Sequence, residues 1–166
     1  MATATDARAG TAPLELTLTR VLNAPRALVW QAWTDPEHIG RWGPEGFTVE
    51  HAQQDLRPGG RWRACLRPAG GGEDLWQGGV YREVEAGRRL VYTFAWDGED
   101  GRPGTETVVT LELEDDGPGR TRLNFRQVGF ATVESRDGHR GGWSEALDAL
   151  ANHIEAVHRA GPGDVQ

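Results

Sequence analysis

The run Trp143-Ser144-Glu145-Ala146-Leu147-Asp148-Ala149-Leu150-Ala151-Asn152-His153-Ile154-Glu155-Ala156-Val157 decides how this chain folds. Trp143, Ala146, Leu147, Leu150, Ile154 and Val157 recur at helical spacing, while Glu145, Asp148, Asn152 and Glu155 fall on other faces. The spacing predicts a long amphipathic helix from near Gly138 to near Ala160. No other apolar stripe of that size is left unpaired by strands, so this one must lie across a sheet.

The preceding sequence supplies that sheet. Leu14 to Thr19 alternates apolar and polar residues, the period of a strand with one buried face. Arg26 to Thr34 places Val29 and Trp33 four apart behind Pro25, and Asp35-Pro36-Glu37 offers an N-cap, a proline at the first helical position and an early acid. Two short helices are expected, the second reaching about Trp42. The period then returns to two. Phe47, Val49, His51 and Gln53 are read as one face of a strand, and Trp62, Ala64 and Leu66 as one face of the next, with further strands at 75–85, 90–96, 106–114 and 120–128. Short loops between them predict an antiparallel meander. The fold class is therefore α+β: a curved antiparallel sheet of about six to seven strands around a C-terminal helix, with two short helices after the first strand.

Composition narrows the function. The 166 residues suit one domain, expected over 14–159, with tails at 1–13 and 160–166 that have little to bury. All 18 positive charges are arginine, so a P-loop lysine, a Schiff base and a lysine general base are excluded. A formal charge of −7 disfavours nucleic acid and anionic membrane as partners. One cysteine, Cys65, and an opening stretch without a secretory apolar run predict a cytoplasmic protein. His38, His51, His139, His153 and His158 show no helical i, i+4 pair, and no phosphate-binding glycine motif follows a strand, so neither metal nor cofactor is expected.

A sheet curled around one helix leaves space between them unless large side chains fill it. Seven tryptophans are the candidates, as core or as walls. A dry void of ~400 Å³ would cost roughly 10 kcal/mol at ~24 cal/mol per Å³, so a pocket there must be watered, collapsed or occupied by a ligand. The polar residues at expected inward or rim positions are His51, Gln53, Arg63, Gln77 and Gln127.

The stretch Asn23 to Pro44, with Trp33-Thr34-Asp35-Pro36-Glu37 at its centre, resembles bacterial homologues of the activator of the heat-shock-protein-90 ATPase. Gly59-Gly60-Arg61-Trp62, Gly78-Gly79-Val80-Tyr81, Arg89 to Phe94 and the helix around Gly142-Trp143 continue the likeness over about 14–159. The resemblance implies the START/polyketide-cyclase-like SRPBCC superfamily and its helix-grip fold around a hydrophobic cavity. Its members bind lipids, hormones and polyketides, and some are enzymes.

The expected function is to bind a small hydrophobic or amphipathic molecule, with no catalytic residue assigned. The residues expected to line the site are Trp33, Trp42, Trp62, Trp76, Phe94, Trp96, Phe125, Trp143 and Leu147, with His51 and Arg63 orienting the ligand. Two alternatives stand beside it: a co-chaperone-like module contacting a chaperone or another protein, and a cyclase- or hydrolase-type enzyme using the same cavity. Monomer and homodimer both stay open. Arg57, Arg61, Arg63 and Arg67 cluster around one hairpin, either paired with neighbouring acids or free as an anion-binding patch.

Overall fold

A computed structural model describes residues 14–161. The tail expected at 1–13 lies outside the described residues, as does 162–166. The elements run β1 (Leu14–Leu22), α1 (Arg26–Thr34), α2 (Pro36–Ile39), β2 (Phe47–Gln54), β3 (Arg61–Pro68), β4 (Leu75–Glu85), β5 (Arg89–Trp96), β6 (Thr107–Asp115), β7 (Thr121–Phe130) and α3 (Val133–Ala160). The strands form one antiparallel sheet in the order β1-β7-β6-β5-β4-β3-β2. The first strand thus pairs with the last, and the meander between them brings the chain back beside its start. This is a helix-grip fold.

Helix boundaries follow the capping chemistry. The Asp35 carboxylate accepts the Glu37 N–H at 3.0 Å, as the sequence leads one to expect. α2 is shorter than expected: it stops at Ile39, and the Trp42 indole folds back to donate to the Ala32 carbonyl at 2.9 Å. α3 begins five residues before the expected Gly138, because the Thr132 hydroxyl caps it by accepting the Ser135 N–H at 3.0 Å. Gly138, Gly141 and Gly142 are poor helix formers, but the capped turn ahead of them carries the helix through. At the other end Ala160 is still helical, and the Gly161 N–H closes the helix on Val157 O.

The solid core lies where β1, β6 and β7 meet the C-terminal half of α3. Leu16, Leu111, Leu123, Phe125, Leu147, Leu150 and Ile154 are all buried there. Four such aliphatic side chains contribute about 6–12 kcal/mol by transfer arithmetic, enough to hold the helix on the sheet at this end.

Two irregularities shape the other end. In β2 the pairing with β3 slips by one residue between Glu50 and Gln53, and His51 takes φ +52°. An extra residue in a strand reverses the facing of everything after it. Phe47 and Val49 face inward as expected, but Ala52 and Gln54 then take the inner side in place of His51 and Gln53.

Between β4 and β5 the ladder opens at Gly79. Trp62 is the cross-strand partner of Gly79, and its indole reaches past this residue to donate to the Thr93 carbonyl at 2.9 Å. The Thr93 hydroxyl accepts the Val80 N–H at 2.8 Å, a side chain standing in for a ladder carbonyl. A Cβ on Gly79 would sit 1.9 Å from Thr93 O. Gly79→Ala should therefore force the strands apart and break the Trp62 bond, destabilising the fold by about 2–3 kcal/mol in urea titrations. An unchanged midpoint would contradict this account.

Candidate functional site

Away from the solid core, the N-terminal half of α3 meets the sheet mainly through His139 and Trp143. A cavity of about 560 Å³ opens between them. Its walls come from every side: Trp33 of α1; Ile39 of α2 and Trp42 after it; Phe47 and Val49 of β2; Trp62, Ala64 and Leu66 of β3; Leu75, Gln77 and Tyr81 of β4; Tyr92, Phe94 and Trp96 of β5; and Gly138, His139, Gly142 and Trp143 of α3.

The indole rings are fixed as walls by their one polar atom. An indole N–H only donates, so burying it requires an acceptor. Trp42 and Trp62 use the Ala32 and Thr93 carbonyls. Trp143 donates to Gln127 Oε1 at 2.8 Å, Gln127 Nε2 donates to Thr107 Oγ1 at 2.9 Å, and that hydroxyl donates to Phe94 O at 3.0 Å. Trp96 donates to His139 Nε2 at 2.8 Å. That nitrogen must therefore be unprotonated, and the ring is the neutral tautomer whose Nδ1–H donates to Ser135 O at 2.7 Å.

The remaining rings stack on these. Trp33 lies parallel to Trp143 at 5.9 Å, and Trp62 meets Tyr92 edge-on at 5.4 Å. Burial pushes the Tyr81 and Tyr92 phenols up, so both stay protonated, and the Tyr81 hydroxyl donates to Gln54 Oε1 at 3.0 Å.

Among the residues expected to line the site, Trp33, Trp42, Trp62, Phe94, Trp96 and Trp143 stand around this cavity together. Phe125 and Leu147 do not reach it. They lie behind Trp143 in the solid core, with Phe125 at 4.4 Å from the Trp143 ring. Trp76 and His51 are on the opposite face of the sheet, stacked on each other at 5.7 Å. Trp76 sits there because Leu75 and Gln77 take the inner side of β4, and His51 because of the bulge. Arg63 touches the cavity wall, but its guanidinium lies 5.1 Å over Trp76 and grips the Asp97 carboxylate with both terminal nitrogens. Its charge is neutralised away from the interior. Arg67 is likewise paired with Asp74 and Glu50, and Arg57 with Asp55, so three of the four arginines considered from sequence as an anion-binding patch are compensated by neighbouring acids.

With that geometry in view, the comparisons with known proteins are specific. Residues 23–155 match the family described as Activator of Hsp90 ATPase homolog 1-like protein. The chain belongs to this family. A crystal structure of a Chromobacterium violaceum protein is 29% identical, covering 84% of this chain and 96% of its own, with a TM-score of 0.74. A Silicibacter pomeroyi protein of the same family shares the fold at 24% identity and a TM-score of 0.77, covering 86% of this chain and 99% of its own. No protein of curated function matches the chain. Among the described residues no helix is long and apolar enough to cross a membrane, and no group of three metal-ligating side chains converges.

In this member of the Hsp90-activator-like family, sequence reasoning passed over Tyr81 and Tyr92 on the sheet and the early turns of α3. Gly138 and Gly142, one turn apart, leave open space where side chains would point, and His139 clamps Trp96 beside them. The i, i+4 glycine pair ahead of Trp143 was the available signal, but glycine carries no hydrophobic weight in a periodicity reading, so the apolar stripe began only at Trp143.

A second histidine contact joins the short helix to the long one. His38 Nδ1 of α2 lies 2.9 Å from His153 Nε2 of α3, a distance at which the two rings share one proton. Burial, then His38 and Arg41, hold the His153 imidazole below its usual 6.5. The unfolded chain therefore takes up this proton at higher pH than the folded one, and stability should be full above about pH 6.5 and fall as the pH drops through the region below it. Urea midpoints measured between pH 5 and 8 should show that decline, and His153→Gln should flatten it. An equally steep decline in the variant would assign the effect to other groups.

Proposed function

We propose that this domain binds a small hydrophobic or amphipathic molecule in the space between the sheet and the early turns of α3, without assigned catalysis, and that it does so in the cytoplasm. The observation that carries the reading is the combination of an unfilled volume of about 560 Å³ with walls in which the Trp42, Trp62, Trp96 and Trp143 N–H groups are already engaged. The volume falls within the ~300–1,000 Å³ usual for small-molecule sites. Trp33, Trp42, Trp62, Phe94, Trp96 and Trp143 supply the contact surface.

The glycines of α3 provide a test that separates binding from folding. Nothing lies within 4 Å of a Cβ built on Gly138 or Gly142, so a side chain there enters the cavity without displacing protein atoms. Replacing a helical glycine with leucine raises helix propensity by close to ~1 kcal/mol. Gly138→Leu and Gly142→Leu should keep or raise the melting temperature and weaken uptake of a neutral dye such as Nile red at least tenfold. Native mass spectrometry of the unmodified protein should show a retained small molecule or a dye complex. No uptake by the wild type, or undiminished uptake by both variants, would remove the proposal.

The family description favours a second reading, a protein-interaction module acting on a chaperone ATPase. Adding this chain to the host's heat-shock-protein-90 should then change its ATPase rate, and an unchanged rate counts against it.

A further inference from the structure

The polar side chains around the cavity are not equivalent. Gln54 is engaged by the Tyr81 hydroxyl, Gln127 by Trp143 and Thr107, His139 by Trp96 and Ser135, and Arg63 by Asp97. Gln77 is different. It sits mid-wall on β4, between Ala64 of β3 and Trp96 of β5, both of which line the cavity with it. It is half-buried, and among the described residues its carboxamide has no hydrogen-bond partner. A carboxamide offers two N–H donors and one carbonyl acceptor, and at Gln77 these are open to the cavity, where water or a ligand oxygen can meet them.

We propose that Gln77 is the specificity-determining residue of this cavity, and that it recognises a neutral hydroxyl or carbonyl group on an otherwise apolar ligand. This rests on the reading of the cavity as a ligand site. Charge points to the neutral form: the carboxylates of Glu134 and Glu145 line the cavity with no ion-pair partner among the described residues, while its one arginine is held by Asp97. An anionic ligand would meet repulsion and no free cation. A neutral oxygen would meet the Gln77 amide, which can donate to a carbonyl or exchange both roles with a hydroxyl.

The experiment compares two ligands of the same shape, 2-naphthol and 2-methylnaphthalene, by equilibrium dialysis against the wild type, Gln77→Leu and Gln77→Met. The differing hydrophobicity of the two ligands cancels when the ratio of their dissociation constants is compared between proteins. That ratio should shift against 2-naphthol by roughly five- to tenfold in both variants, the value of one neutral hydrogen bond. The 2-naphthoate anion should bind the wild type at least tenfold more weakly than 2-naphthol. If the wild type binds none of the three, the cavity is not a ligand site and the reading beneath this inference falls. If the naphthalenes bind but the ratio is the same in all three proteins, or if naphthoate binds as tightly as naphthol, the cavity reading survives and the role given to Gln77 is wrong.

Discussion

Everything at the open end of this fold depends on where four indole N–H groups find acceptors. A tryptophan that enters the space between helix and sheet can tumble into it and fill it, or it can be held at the edge. Here Trp42, Trp62, Trp96 and Trp143 are each tied to a fixed acceptor on a different element: a helix carbonyl, a strand carbonyl, a histidine and a buried glutamine. Moving any of these rings into the void would strand its donor and its acceptor together, at about 1–3 kcal/mol for each buried group left unmatched. Collapse is opposed by hydrogen bonding, although the walls themselves are apolar.

That constraint explains how so large a space coexists with a stable domain. Extrapolating ~24 cal/mol per Å³ to about 560 Å³ gives roughly 13 kcal/mol for a sealed dry void, comparable to the whole stability of a domain this size. The protein avoids that cost by leaving the space open at the rim, where Leu75, Glu134 and Glu145 reach solvent, and by concentrating its packing elsewhere. α3 is accordingly divided. Its C-terminal half, through Leu147, Leu150 and Ile154, is welded to the sheet, while its N-terminal half carries glycines on the cavity side and touches the sheet mainly through His139 and Trp143. Helix propensity and burial both favour the second half, so local opening should begin in the first turns, next to the entrance.

The architecture was legible in the sequence because period is a robust signal. A strand of eight or more residues with one buried face repeats its message several times, and the stripe from Trp143 to Val157 repeats its own over four turns. The site was less legible because a single event can reverse a period. The bulge at His51 moved that residue from the expected wall to the outer face, and no local residue pattern announces it: a histidine at φ +52° is held there by the sheet, not by its own preference. Trp76 shows the complementary limit. Its size suggested a wall, but alternation from Leu75 through Gln77 to Tyr81 assigns it the other face, where His51 and Arg63 cover it. In β4 the small polar residue looks inward and the large aromatic one outward, the reverse of what hydrophobicity alone predicts.

The same inversion bears on how this family's shared fold is to be read. A common helix-grip backbone determines that a space exists between helix and sheet, because the sheet must curl and one helix cannot fill the curl. What that space recognises depends on the few side chains that the backbone leaves uncommitted. In this chain the indoles, Gln54, Gln127, His139 and Arg63 all have partners within the protein and so chiefly define shape. Discrimination is then left to groups without such partners. Family membership therefore argues for the container, and the choice of contents has to be argued from the polar atoms that remain free inside it.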